Sequence, residues 1–209
     1  EGEGTVYPFQ FQPELKNEGF KTSSQVNYVA RCGNFRLGEE LDYTGALRIL
    51  KLILSYDYLW QNLRVKGGAY GCMSGFGRSG EGYFVSYRDP KMKETNEVYE
   101  GIVDYLKHFD ASDRDMTKYV IGTIGAMDTP FTPADQGARG LSAYLSGVTD
   151  EMMQEERDQV LAATQKDIQN LAGIVKAILK TGALCAIGNE EKVEENREMF
   201  GEVKNLFRA

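Results

Sequence analysis

Histidine is nearly missing from this 209-residue chain, which has only His108. A zinc site built on two histidines therefore cannot be assembled within it. A Ser-His-Asp triad would have to borrow His108, and no G-x-S-x-G turn is present to offer the serine. The imidazole lies late in "VDYLKHFDASD", where a position near a helix C-terminus favours the helix dipole. Cysteine is scarce as well. Cys32, Cys72 and Cys185 stand far apart in strand-like apolar settings without C-x-x-C spacing. That favours buried, reduced thiols over a disulfide framework or a zinc site, and suits the cytoplasm or an organelle matrix. Basic charge is in deficit, with 24 Lys and Arg against 31 Asp and Glu and a net charge of −7. This argues against a nucleic-acid partner, which would select a basic patch. No apolar run approaches the roughly 18 residues that a membrane-spanning helix needs, so no membrane partner is expected. The opening "EGEGTVYPFQ" has neither an initiator Met nor a signal-peptide pattern, which points to a piece of a longer polypeptide.

Glycine, by contrast, is abundant and clustered. Seven glycines fall between Gly67 and Gly82 in "LRVKGGAYGCMSGFGRSGEGYF", and Gly75 to Gly80 spells G-x-G-x-x-G. A dinucleotide fingerprint needs a strand, the glycine turn and then a helix whose N-terminus meets the pyrophosphate. Here "GYFVSYRD" follows, which is β-forming, so the fingerprint is a decoy. Gly71, Gly75 and Gly77 keep a two-residue period and share one face of a strand. That bare face either lets an extended peptide lie alongside or admits a closely packed helix.

Periodicity supplies the organisation. A strand is predicted through Val26 to Cys32, then a helix within 41–64 stopped by Gly67-Gly68, then a hairpin of 69–78 and 81–88. Successive helices follow from Glu94 to Lys180, with Thr149 and Thr164 as N-caps. "GALCAIG" (182–188) is a short strand, and an acidic helix closes the chain. Strands and helices segregated in this way predict an α+β fold, a mainly antiparallel sheet with helices on one face. We place a lead-in at 1–24 and one domain at 25–209. Carboxylate pairs such as Glu155-Glu156 and Glu194-Glu195 read as solvated helix faces, and the residues themselves display no catalytic machinery.

"LRVKGGAYGCMSGFGRSGEGYFVSYRDP" resembles the C-terminal half of the pitrilysin/insulinase metalloproteases. "QVNYVARCGNF", "GAMDTPFTPADQGARGLSAYLSGVTDE" and "RDQVLAATQKDI" are similar to its presequence-protease and falcilysin branch. The likeness covers nearly the whole chain and matches the last quarter of such an enzyme. It implies two homologous halves closing around unfolded peptides. Zinc would be held only in the N-terminal half, by an H-x-x-E-H helix and a distal Glu, and none in this chain. "GALRILKL" (45–52) occupies the equivalent helical place, with Arg48, Lys51 and Leu52 where ligands and base would stand. The family's C-terminal half contributes an Arg and a Tyr, matched here by Arg64 and Tyr70, with Gly67 and Gly68 between them at the substrate. The alternative roles are a helix cap for Arg64 and strand packing for Tyr70. Family members that lost catalysis and persist as scaffolds keep a non-enzymatic module open.

Overall fold

The computed structural model describes residues 14–37 and 41–207. The first thirteen residues, including the opening that suggested a longer polypeptide and most of the lead-in, lie outside them. One six-stranded sheet runs in the order β3-β4-β2-β5-β1-β6, built from β1 (Glu18–Thr22), β2 (Asn27–Asn34), β3 (Gly71–Phe76), β4 (Glu81–Asp89), β5 (Ala183–Asn189) and β6 (Glu202–Asn205). β3, β4, β2 and β5 pair antiparallel, while β1 runs parallel to both β5 and β6. The sheet thus reaches back before residue 25 and takes β1 from the segment read as a lead-in.

Alternation along the strands sorts the faces. Val29, Phe84, Leu184 and Ala186 point inward and are buried, while Tyr28, Met73, Tyr83 and Tyr87 point outward and stay exposed. The inner face carries α1 (Ala46–Ile53), α2 (Lys93–Lys107) and α7 (Ala172–Lys180), whose apolar stripes supply Leu50, Ile53, Ile102, Val175 and Ile178 to one core. The mainly antiparallel sheet with helices on one face is therefore what the chain forms. α3 (Asp113–Met127), α4 (Pro133–Ser146), α5 (Asp150–Leu161), α6 (Gln165–Asn170) and α8 (Glu190–Glu195) complete the helices. Ser112, Thr132, Thr149 and Thr164 cap α3 to α6 through their side chains, and Gly147 ends α4 in the left-handed conformation. The chain closes on β6 rather than on the acidic helix.

Two expectations about burial change. All three cysteines are free thiols, but none is fully buried: Cys72 and Cys185 are half-buried, and Cys32 is exposed because its strand position points to the bare outer face. Glu156 is buried while Glu155 is exposed, so that pair does not form a solvated face.

Candidate functional site

The helix that begins with α1 widens beyond Ile53 into π turns over Leu54–Tyr58 and Trp60–Val65. Wide turns of this kind frequently accompany functional sites, and here the last of them carries Arg64. The glycine pair then reverses the chain. A Cβ on Gly67 would stand 2.4 Å from the Leu63 carbonyl oxygen, and Gly68 has φ +87°. Only glycine adopts both without strain. Amide donation from Gly68 to the Arg64 carbonyl (3.1 Å) and from Ala69 to the Leu63 carbonyl (2.9 Å) closes the reversal. Ala69 plugs into the core, and the next side chain, Tyr70, is thrown outward, 62% exposed.

Arg64 and Tyr70 are thereby brought together. Arg64 Nη1 donates to the Tyr70 carbonyl, and its guanidinium lies 4.4 Å from the Trp60 ring centre and 5.6 Å from that of Tyr70. The aromatic contacts hold the planar fork by cation–π attraction. On the other side Tyr70 meets Tyr87 edge-on at 5.7 Å, and Tyr87 meets Tyr28 at 5.4 Å. Arg88, in the left-handed region at φ +50°, places its guanidinium 6.0 Å from the Tyr70 ring. The Tyr70 hydroxyl has no hydrogen-bond partner among the described residues. Arg64 therefore does not cap its helix with its side chain, and Tyr70 is not a core ring. Trp60, Tyr87 and Arg88 belong to this cluster but were not singled out in sequence. Trp60, one turn before Arg64 in a helix, was the detectable signal.

β3 is an edge strand, so its far side carries no strand partner among the described residues. Gly77 N–H donates to the Glu81 carbonyl at 2.8 Å, and the alternation of an antiparallel ladder then turns the main-chain groups of Cys72, Ser74 and Phe76 toward the open edge. The glycine face is the outer one, where no helix packs among the described residues. At Gly75 a Cβ would meet the Tyr83 ring at 2.5 Å, and at Gly77 it would meet the Glu81 carboxylate at 1.7 Å. The missing side chains let Tyr83 and Glu81 of β4 lean across β3 to its edge.

There they meet α1. A cavity of about 230 Å³ lies between α1 and the end of β3, lined by Arg48, Lys51, Tyr43, Tyr83 and Glu81 among others. Behind it sits Glu156, 4% exposed, on α5. Its Oε1 accepts from the Tyr43 hydroxyl at 2.5 Å and from Arg48 Nε, and its Oε2 accepts from Arg78 Nη2 at the hairpin tip. Burial pushes the Glu156 carboxyl up, but hydrogen bonds from Arg48 and Tyr43 and the charges of Arg48 and Arg78 outweigh it and hold it low. Gly45 makes this docking possible, since a Cβ there would stand 2.4 Å from the Glu156 carbonyl oxygen.

Among the described residues the donor chemistry does not suit zinc. His108 ends α2 as an exposed ring beside Asp104, and no three His, Cys, Asp or Glu side chains converge among the described residues. On α1 the positions facing the edge cavity are Leu47 and the cations Arg48 and Lys51.

The exposed Arg–Tyr pair thus sits at one corner of a recognisable fold, a one-sided helical layer on a six-stranded sheet. Solved structures share it: the peptidase M16 inactive domain from Pseudomonas fluorescens superposes with a TM-score of 0.63 at 16% identity, covering 90% of this chain and 47% of that one. Pitrilysin matches with a TM-score of 0.53 at 14% identity over 83% of this chain and 20% of its own. The family model for the PreP C-terminal domain matches residues 17–190, and the chain belongs to that family. Among its relatives, Protein HypA of Clostridium perfringens is 44% identical over 96% of this chain and 20% of its own length. Presequence protease 1, chloroplastic/mitochondrial, of Arabidopsis thaliana is 36% identical over 92% of this chain and 18% of its own. The chain thus spans about a fifth of the length of these relatives. No helix among the described residues is long and apolar enough to cross a membrane.

Proposed function

We propose that this chain is the non-catalytic C-terminal domain of a zinc metalloendopeptidase that degrades unstructured peptides in a closed chamber. The N-terminal half of the same polypeptide would be its partner and would hold the zinc, in the cytoplasm or an organelle matrix. One observation carries the reading: Arg64 and Tyr70 are clasped together, exposed, at the start of an open strand edge. Attack on a peptide carbonyl builds negative charge on its oxygen. The unspent Tyr70 hydroxyl is the donor for that oxygen, and the remaining N–H groups of the Arg64 fork hold a neighbouring carbonyl. Gly67 and Gly68 keep the approach free of side chains. A substrate strand continues along β3, where main-chain bonds give sequence-tolerant affinity.

The test is Tyr70→Phe in the full-length enzyme, which removes one hydroxyl and leaves the ring on Tyr87. A group acting on the oxyanion lowers kcat and kcat/KM together. Arg64→Ala raises KM as well, and Arg64→Lys rescues poorly because an ammonium lacks the planar fork. Near-normal kcat in Tyr70→Phe would leave the domain as a scaffold without a direct catalytic part.

A further inference from the structure

We infer that the edge cavity between α1 and β3 is a carboxylate-binding subsite for the peptide that lies along β3, with Lys51, Arg48 and Tyr83 as its donors. The inference rests on the proposed peptide reading and adds a ligand chemistry to it.

Position comes first. Tyr70 immediately precedes β3, and the cavity lies beside Gly75 and Gly77, about 20 Å further along at roughly 3.3 Å per residue. An extended peptide with one residue at Tyr70 therefore brings a group five to seven residues away to this cavity. Donors come second. Arg48 and Lys51 are three apart on α1 and share its edge-facing side. Arg48 bonds Glu156 only through Nε and lies beside the Tyr43 hydroxyl, so its terminal nitrogens keep N–H groups to offer to the cavity. Lys51 is exposed and has no ion-pair partner among the described residues. From the other wall, Tyr83 crosses Gly75 and lines the same space. Competition comes third. Glu81 shares the cavity, but its carboxylate is turned to Gly77 and accepts from Ser79 Oγ at 2.5 Å. Glu156 is saturated by three donors behind Arg48. Fork and ammonium converging on about 230 Å³ fit one carboxylate, from either the peptide's C-terminus or an acidic side chain.

Stopped-flow anisotropy with the full-length enzyme reads binding before turnover. Three labelled peptides of one neutral, unstructured sequence serve as probes: the free acid, the C-terminal amide, and the amide carrying one Glu six residues from the other end. The subsite predicts tighter binding of the free acid, the Glu peptide or both than of the plain amide. Lys51→Gln should cut that preference by about fivefold, the size of one partly exposed ion pair, and leave the plain amide unchanged. Tyr83→Phe, a variant that keeps the ring, should cut it in the same direction. A free-acid preference assigns the C-terminus, and a Glu preference assigns a side chain. Equal binding of all three peptides by the unaltered enzyme, or a preference that survives Lys51→Gln, overturns the subsite. Arg64→Ala in the same assay separates the two ideas. If it leaves all three affinities intact, the peptide reading falls whatever Lys51 does. No binding of any peptide overturns both.

Discussion

Replacing Glu156 with Gln keeps the shape of a buried side chain while removing its charge, and its cost can be worked from the geometry. Arg48 and Arg78 each lose an anionic partner. Their side chains stay 46% and 29% exposed, so each loss lies nearer the surface value of about 1 kcal/mol than the 3–5 kcal/mol of a fully buried pair. With the amide oxygen in the Oε1 position it still accepts from Tyr43 and Arg48, but its NH₂ now faces Arg78 Nη2. That leaves one guanidinium donor unsatisfied at roughly 1 kcal/mol. The sum is about 2–3 kcal/mol, which for a domain of this size lowers Tm by about 4–12 °C. Glu155→Gln, one residue away and exposed, is the control and should change little. The pH dependence has a fixed sign. The folded-state carboxyl titrates below its unfolded value, so its contribution is complete above the ordinary glutamate range and fades as pH falls through the folded pKa. Melting both variants and the parent at pH 7 and at progressively lower pH should show the Glu156 gap closing on acidification. Equal melting of Glu156→Gln and Glu155→Gln at pH 7, or a gap that ignores pH, would refute this account of the cluster.

Three further outcomes are expected. Tyr70→Phe in the full-length enzyme should lose about 3–4 kcal/mol of transition-state stabilisation, two to three orders of magnitude in kcat, with Tm unchanged. Gly68→Ala, forced to φ +87°, should destabilise the chain by about 1–2 kcal/mol in urea titration and displace Tyr70; an unchanged midpoint would argue against the turn described. Metal analysis of the purified 209-residue chain should find far less than one zinc per chain, and one tightly held zinc would contradict the donor chemistry.

The helices α2 to α7 and the β3–β4 hairpin were legible because their signals are local. Thr149 and Thr164 cap from within their own turns, and Gly80 makes its own loop with φ +97°. β1 and β6 were not legible. "EGFKT" and "EVKN" are short and have little apolar alternation, and they become strands only through partners far along the chain. Glu156 was misread for the same reason. Its neighbours Glu155 and Arg157 mark a polar helix face, whereas the guanidinium groups that make its burial tolerable come from 108 and 78 residues earlier. For Arg64 and Tyr70, the resemblance named the residues. The clasp to Trp60 and the outward throw of Tyr70 needed the glycine turn in three dimensions. At Gly75 and Gly77 the two-residue period was visible, but its beneficiaries, Tyr83 and Glu81, lie on the next strand.

The placement of β1 has a kinetic consequence. This early strand is flanked on both sides by strands from the far end of the chain, and Thr22 Oγ1 donates to the Gly188 carbonyl across 166 residues. Such pairings raise contact order, and loop-closure entropy must be met before they reward the chain. The antiparallel strands β2, β3 and β4 can assemble from nearer neighbours, whereas β1 has no seat until β5 has emerged from the ribosome. During synthesis a bare strand therefore waits, exposed to wrong partners, for most of the domain's length. Removing only the residues from Ala183 onward would delete both of its neighbours, so loss of a short tail should leave the first strand, at the other end of the chain, unpaired and prone to aggregation.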